Sequence, residues 1–405
     1  MRRRPKLPLG AVHRGHRVKR RRGPWWRRPV LLLLSAVFAG AAGWYLLRGR
    51  SGDLPSPATL VPIPAADTEA GPAEASVDPL DTAAEAGDLI PISEPVPTEI
   101  EAPSAPPPSP VFAPGEKNFR PRPPRDVFEA QIALTRDGLS PGAIDGAWGR
   151  ITRNAVIAFQ RKHGLRVTAQ LDTKTRDALL MVESPLTTYE ITAEDFVRLR
   201  PLPKGWVERA ALDRLDYSSI LELVAEKHWT HPNQIKRLNP DIDWDKVTTG
   251  TRVIVPRVFR RKPATQPALI VIHLAEKTLQ LYDANSRLLA HFPCSIARRV
   301  EKRPVGELAV EEAARDPNYT FDPENFPDSA EAQRIGRKLV LPPGPNNPVG
   351  VAWIGLNLPG YGIHGTPEPE RVGRPESSGC FRLTNWDARF LVDLVYVGMR
   401  VQVEP

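Results

Sequence analysis

The sequence Gly362-Ile363-His364-Gly365-Thr366 and, after a stretch rich in proline, glycine and charge, Ser377-Ser378-Gly379-Cys380-Phe381-Arg382 decide the fold of the C-terminal third. One cysteine lies among small residues, sixteen positions after one histidine. A cysteine is a useful nucleophile only as its thiolate, so it needs a nearby base. His364 is the candidate, since an unperturbed imidazole titrates near neutrality. The pattern predicts that Cys380 and His364 act together; a buried structural cysteine beside an unrelated histidine is the alternative.

This pattern resembles the L,D-transpeptidase catalytic domain of the YkuD type, whose signature is His-Gly-Thr followed by Ser-His-Gly-Cys-x-Arg-x-x-Asn. The resemblance covers roughly residues 267–404 and includes Arg303–Glu307, Pro342–Gly350 and Leu358–His364 in the family's order. Ser378 departs from the signature, because most members carry a second histidine there. The resemblance implies a β-sandwich as the fold of this domain.

The resemblance also implies acyl transfer through a thioester. Cys380 would be the nucleophile, His364 the base, and the Gly365 carbonyl would hold the imidazole. Backbone N–H groups around Ser378 and Gly379 would stabilise the oxyanion. The substrate would be a peptidoglycan stem tetrapeptide, from which D-alanine leaves, and a second stem peptide would accept the acyl group. The product would be a cross-link between two third-position residues.

Four residues of the same region form the predicted substrate-binding set: Arg382, Ser377, Tyr361 and Asn385. A guanidinium such as that of Arg382 can grip a carboxylate with two hydrogen bonds, and an ion pair inside the protein is its alternative role. Tyr361 would line the cleft or pack in the core. Asn385 would brace the loop through backbone hydrogen bonds more than it touches substrate.

Cysteine and histidine usage predicts neither a disulfide framework nor a metal site. Only Cys294 and Cys380 occur, and Cys294 lies in a strand-like stretch as a small buried hydrophobe. The histidines His273, His291 and His364 lack zinc-like spacing with them, and no cofactor is expected. If Cys380 is activated, a thiol reagent should alkylate it faster than a model thiol at neutral pH.

The net charge of +8 sums three unlike regions of this 405-residue chain. Residues 1–50 carry fourteen basic and no acidic residues (+14), residues 51–118 carry −11, and the remainder carries +5. The basic start precedes an uncharged apolar run of about nineteen residues, 29–47, enough to span a bilayer. Basic residues before this run place residues 1–28 in the cytoplasm, a better explanation than nucleic-acid binding. A signal peptide cleaved near Ala39-Gly40-Ala41 is the competing interpretation.

The sequence predicts a multidomain α+β protein. Residues 48–118 are a proline-rich acidic linker, which cannot bury enough apolar surface to order. The sequence of residues 119–184 predicts three short helices. It resembles a peptidoglycan-binding domain, whose pattern is matched at Gln131, Asp145 and Phe159 and at further positions. Residues 185–260 predict a βααβ module that resembles LysM, a glycan-binding module; a structural spacer is the alternative. Residues 261–405 are the predicted catalytic domain, with an irregular insertion at 310–338.

These predictions describe a single-pass membrane protein whose catalytic domain faces the periplasm and the cell wall. Its partners would be stem peptides and glycan strands of peptidoglycan, in cell-wall biogenesis and remodelling. Hydrolysis or amino-acid exchange at the same thioester remains open, because the acceptor decides the product. A wall-binding scaffold with an inert catalytic domain is the third hypothesis, against which the intact motif at His364, Gly379, Cys380 and Arg382 argues.

Overall fold

The computed structural model describes residues 119–327 and 329–405. The predicted cytoplasmic tail, membrane helix and linker, 1–118, lie outside these residues. Across the described part of the chain, none of the helices combines the length and apolar character that crossing a membrane would require. The names used below are the three-helix domain (119–184), the βααβ module (185–260) and the C-terminal domain (261–405).

The three-helix domain forms where helical apolar spacing and capping residues predict it. Its helices are α1 (Val127–Arg136), α2 (Arg150–Lys162) and α3 (Thr173–Ala178). Asp172 caps α3 by accepting from the Thr175 amide, as the sequence predicts. The Gln131 side chain bonds Asp145 and Thr152 and thereby fixes the loop between α1 and α2 to α1. Ile132, Val156 and Phe159 belong to the core these helices share.

The βααβ module closes as predicted but contains more helix than predicted. Its elements are β1 (Leu186–Glu190), α4 (Ala193–Val197), α5 (Trp206–Ala210), α6 (Ile220–Lys227), α7 (Pro232–Leu238) and β2 (Arg252–Pro256). The two strands pair antiparallel, and Ser219 caps α6. Pro232 occupies the first turn of α7, where its missing N–H costs nothing. Two helices, α4 and α5, are additional to the predicted pair, and both lie between β1 and α6.

The C-terminal domain is built on one curled sheet of eight strands. Its spatial order is β13-β11-β10-β7-β14-β3-β4-β5. Backbone bonds exchanged between Ser295, just after β5, and Arg382 of β13 bring the two ends of the sheet together. Helix α9 packs into the single core of this domain through Ala388 and Leu391. The elements are β3 (Pro267–His273), β4 (Thr278–Asp283), β5 (Leu288–Pro293), β6 (Ile296–Ala297), β7 (Gly306–Arg315), β8 (Tyr319–Phe321), α8 (Ala330–Ile335), β9 (Leu339–Leu341), β10 (Ala352–Leu356), β11 (Gly362–His364), β12 (Pro375–Ser377), β13 (Phe381–Arg382), α9 (Asn385–Val392) and β14 (Arg400–Glu404).

Two predictions for this domain need correction. The expected β-sandwich is instead one continuous curled sheet, because the ten residues of β7 pair with both β10 and β14. For the same reason the expected irregular insertion at 310–338 begins only after Arg315. Residues 310–315 continue the strand by pairing with β10, although most of their side chains are exposed.

A buried charged junction joins all three parts of the described chain. Asp387 on α9 pairs with Arg260 at 2.8 Å, and both side chains are essentially inaccessible. The Ser140 hydroxyl of the three-helix domain donates to the other Asp387 oxygen at 2.7 Å. The Arg260 guanidinium lies over the rings of Trp229 and Phe390. A buried charge needs such a partner, so this junction ties the modules to α9.

An apolar cluster joins the βααβ module to the C-terminal domain at a second place. Trp206 of α5 stacks on Phe321 of β8, with ring centroids 4.7 Å apart, and Leu215 packs in the same cluster. The Trp206 amide donates to Glu331 of α8 at 3.0 Å. The segment 316–341 therefore has its core partners in another module.

Candidate active site

The pairing of β11 with β13 brings the predicted nucleophile and base to one face of the sheet. These strands are parallel, with Ile363 opposite Phe381 and His364 opposite Arg382. Extending the register by one residue places Cys380 opposite Gly362. Because side chains alternate with a period of two, Cys380 and His364 share a face, and Ile363 and Phe381 point into the core on the other. The two residues are therefore diagonal neighbours on adjacent strands.

The His364 imidazole is fixed in one orientation. Its Nδ1 lies 2.6 Å from the carbonyl oxygen of Gly365, so Nδ1 carries the proton that it donates there. Its ring stacks on Trp353 of β10 at 5.8 Å between centroids. Burial, helped by the Arg382 charge, lowers the pKa of His364 to about 4. The imidazole is thus neutral at neutral pH, and Nε2 is free to accept a proton.

The Cys380 thiol is half-buried at the start of β13. Its Sγ lies 3.4 Å from the Gly360 carbonyl oxygen. Burial raises the pKa of the Cys380 thiol, and the Gly362 N–H and the Arg382 charge oppose that rise. The free protein therefore holds a neutral thiol beside a neutral imidazole. The thiolate is disfavoured until a proton acceptor takes its proton, and alkylation faster than a model thiol stays a prediction.

Ser377 and Gly379 shape the turn that presents the thiol. The buried Ser377 hydroxyl donates to the Cys380 carbonyl at 2.5 Å and accepts from the Gly379 amide at 3.3 Å. A side chain on Gly379 would meet the Tyr361 ring at 3.2 Å. The Tyr361 hydroxyl in turn donates to the Lys302 carbonyl at 3.1 Å. Ser377 thus braces the turn, and its predicted contact with substrate stays a prediction.

Arg382 and Tyr319 add polar groups to the same face. The Arg382 side chain is half-buried, and its Nε donates to no acceptor among the described residues. Burial raises the pKa of the Tyr319 hydroxyl, and the nearby charges of Cys380 and Arg382 also affect it. Tyr319 belongs to β8, so the segment after β7 forms a wall of the site.

Asn385 lies behind the site and is nearly inaccessible. Its Oδ1 accepts from the Val351 amide at 3.3 Å, and its Nδ2 donates to the Pro345 carbonyl at 3.0 Å. A Cβ on Gly365 or Gly350 would collide with that Oδ1, at 2.3 and 2.0 Å. Asn385 therefore braces the backbone around His364, as expected, and its contact with substrate stays a prediction.

Three residues near the site were not predicted from the sequence: Trp353, Tyr319 and Glu226. Trp353 lies over Gly362, where a side chain would meet its ring within 3 Å. The glycine at position 362, opposite Cys380, was the one feature of the sequence that could have indicated a ring there. Tyr319 lies in the segment taken as irregular. Glu226 belongs to a separate module and donors on Asn385 reach it at 3.1 and 3.2 Å. Nothing in the local sequence of α6 marks it.

A cysteine and an oriented neutral histidine on adjacent strands of a curled sheet define a cysteine-dependent acyl-transfer enzyme. Residues 267–403 match the L,D-transpeptidase catalytic domain family, YkuD, and residues 124–179 match a peptidoglycan-binding domain family. The chain therefore carries an L,D-transpeptidase catalytic domain of the YkuD family, preceded by a peptidoglycan-binding domain of mixed helical and loop structure.

Relatives named as L,D-transpeptidases support the same assignment. The YkuD protein of Bacillus licheniformis is 29% identical over 185 residues, which cover 46% of this chain and 93% of that protein. The ErfK/SrfK protein of Escherichia coli K12 is 31% identical over 186 residues, 45% of this chain and 58% of that protein. The solved L,D-transpeptidase of Xylanimonas cellulosilytica aligns over 74% of this chain at 16% identity, with a TM-score of 0.31. That structural likeness is too low to add to the assignment.

Proposed function

We propose that this L,D-transpeptidase joins peptidoglycan stem peptides through a thioester on Cys380. The observation that carries the assignment of roles is the shared face of β11 and β13, on which Cys380 and His364 are diagonal neighbours. The tie from His364 Nδ1 to the Gly365 carbonyl supports Nε2 as the atom that takes the thiol proton.

In the first half-reaction, Sγ of Cys380 would attack the carbonyl carbon at the L-to-D centred peptide bond of a stem tetrapeptide. The thiol proton passes to His364 Nε2 and then to the leaving nitrogen, so D-alanine departs and the thioester forms. In the second half-reaction, an amine of another stem peptide attacks the thioester and the thiol is regenerated. Backbone N–H groups of Ser378, Gly379 and Cys380 would stabilise the oxyanion of both steps.

Arg382 would bind a carboxylate of the stem peptide. The buried, unsatisfied Nε of Arg382 supports this role, because a buried donor without an acceptor is costly until a ligand supplies one. A guanidinium also matches a carboxylate in geometry. Tyr361, which packs against Gly379 from the solvent side of the turn, would line the same cleft.

The upstream parts would keep the enzyme at the wall. The peptidoglycan-binding domain and, by its βααβ pairing, the LysM-like module would bind glycan strands. Residues 29–47 would anchor the chain in the cytoplasmic membrane, with the linker 48–118 carrying the later domains into the periplasm. The length of the uncharged run 29–47 and the basic residues before it support this topology.

Intact mass of the full-length protein after mixing with a purified disaccharide-tetrapeptide tests the chemistry. An adduct that lacks D-alanine, or a dimeric muropeptide, is expected for the wild type and for Cys294→Ala, because Cys294 is fully buried. Cys380→Ala should give neither product. An adduct on the Cys380→Ala variant would mean that another residue is the nucleophile. No adduct on the wild type, while it still sediments with cell-wall sacculi, would favour the wall-binding scaffold. Hydrolysed or exchanged tripeptide without dimers would keep the thioester and change the acceptor.

A further inference from the structure

Glu226 of the βααβ module reaches into the bracing of the catalytic histidine. It lies near the end of α6, and both of its carboxyl oxygens accept from Asn385 Nδ2, at 3.1 and 3.2 Å. Its side chain is half-buried at the junction and lines a cavity of 370 Å³. Glu226 forms no ion pair with the described residues, so the hydrogen bonds from Asn385 hold it there.

Asn385 passes this contact on to His364 through the backbone. Its Oδ1 accepts from the Val351 amide and lies so close to Gly365 that a Cβ there would approach it to 2.3 Å. The Gly365 carbonyl is the group that receives the His364 Nδ1–H at 2.6 Å. Glu226, Asn385, Gly365 and His364 therefore form one continuous series of contacts.

The carboxyl group of Glu226 determines which way the Asn385 amide faces. Both oxygens of the Glu226 carboxyl group accept in this arrangement, so the NH₂ of Asn385 faces it. The amide oxygen then faces Val351 N–H and Gly365. Without the acceptor at residue 226, the amide keeps its bonds to Val351 and Pro345 but loses one that opposes rotation, and the support behind the Gly365 carbonyl weakens.

We propose that Glu226 is a positioning residue for catalysis, supplied by the βααβ module. It acts through Asn385 on the orientation of the His364 imidazole, and its role rests on the proposed function of Cys380 and His364. The βααβ module would then complete the active site as well as bind the wall.

The neighbouring Glu222 provides a matched control for simple docking. It lies one helical turn earlier on α6 and also bonds the C-terminal domain, through Asn346 Nδ2 at 2.7 Å. That contact does not involve Asn385. Loss of Glu222 therefore removes one hydrogen bond of the same junction and leaves the support of His364 intact.

The test compares acylation by the disaccharide-tetrapeptide in full-length variants, with kcat and KM measured separately. Glu226→Met keeps side-chain length but removes the acceptor, and Glu226→Gln keeps one acceptor oxygen for Asn385. A misplaced base slows the chemical step, so Glu226→Met should lower kcat about tenfold with little change in KM. Glu226→Gln should restore most of the rate, and Glu222→Met should stay within about twofold of the wild type.

A double-mutant cycle identifies the route. If Glu226 acts only through Asn385, Glu226→Met should add no further loss to Asn385→Ala. Wild-type rates in Glu226→Met, equal loss in the Met and Gln variants, or additive losses in the cycle would each overturn the inference. Those outcomes are distinct from failure of the proposed function, in which the wild type itself would form no acyl-enzyme.

Discussion

The two upstream modules contact the C-terminal domain in chemically different ways. The three-helix domain bonds Asp387 through Ser140, beside the buried ion pair from Arg260 at the end of the βααβ module. It also donates from Arg150 to a backbone carbonyl of the segment that leads to Cys380. The βααβ module uses a titratable carboxyl group behind His364 and an aromatic cluster around Trp206. The first junction should depend on charge, and the second on pH and apolar packing. Each junction lies behind a different half of the catalytic pair.

The largest expected effect tests the charged junction. Asp387→Asn keeps shape but leaves the Arg260 charge buried without its partner, with the Arg260 side chain only 1% exposed. We expect the free energy of unfolding to fall by about 3 kcal/mol, as for other broken buried pairs. Denaturant unfolding measures this change.

Asp316→Asn is the matched control for that variant. Asp316 pairs with Arg389 through two bonds, but both side chains are more than a third exposed. The loss there should be below about 1 kcal/mol, because exposed pairs contribute little. Equal losses in both variants would mean that burial of the charged junction adds nothing.

The second effect tests the pH sensitivity of the βααβ junction. Burial raises the pKa of Glu226 from its usual 4.5 to about 7, with Glu222 adding to the rise and the Asn385 bond, Arg198 and Tyr217 opposing it. Between those pH values the folded state holds a proton that the unfolded state has lost, so stability falls as pH rises. Glu226→Gln removes that dependence.

The variant should therefore gain stability over the wild type as pH rises from about 4.5 to 7, by at most about 3 kcal/mol. The difference should stay constant above pH 7 to 8. Thermal or denaturant unfolding of both proteins across this range measures it, with Glu222→Gln as the control whose difference from wild type should not follow the same curve. If the difference in unfolding free energy between Glu226→Gln and the wild type does not change with pH, the Glu226 carboxyl group is exposed to solvent in the folded protein.

These junctions explain how far the sequence could lead. Local signals predicted the helices of the three-helix domain, and the resemblance to the YkuD family supplied the roles of Cys380, His364 and the Gly365 carbonyl. Capping and alternation act within a few residues, so they are readable without the fold. The bracing role of Asn385 was expected, but its partner Glu226 lies 159 positions away along the chain. Contacts between modules leave no local pattern, because any carboxyl on an exposed helix face looks alike in sequence.

The same limit explains the misread sheet. A sandwich and a curled sheet have the same alternating strands, and the difference lies in which edges meet. Here Ser295 and Arg382 pair across the ends of the sheet. The segment 316–341 appeared irregular because its apolar residues, among them Phe321 and Leu341, pack against Leu215 of another module. The segment itself supplies only part of that apolar cluster, and residues of the βααβ module supply the rest.

A third, smaller effect tests the aromatic part of the βααβ junction. Trp206→Ala removes a half-buried ring stacked on Phe321 and should cost about 2 kcal/mol, less than a fully buried tryptophan. The wall that carries Tyr319 should loosen with it, so alkylation of Cys380 by iodoacetamide should become faster. Val207→Ala, at a 45% exposed position on the same helix, should change neither quantity. Loss of stability without faster alkylation would separate the cluster from the wall of the site.

The smallest effect tests whether the three-helix domain steadies the segment before Cys380. Arg150, at the start of α2, donates to the carbonyls of Gly373 and Glu276, and Ile151 packs against Gly373. Arg150→Gln should cost about 1 kcal/mol, since these bonds lie near solvent. Its effect on acylation should exceed that of Arg153→Gln, an exposed position one turn along α2. The reason is geometric: Gly373 precedes β12, and Ser377 at the end of that strand holds the Cys380 carbonyl. Equal acylation in the two variants would mean that the three-helix domain supports the C-terminal domain only at Asp387. The segment before Cys380 would then be supported by the C-terminal domain alone.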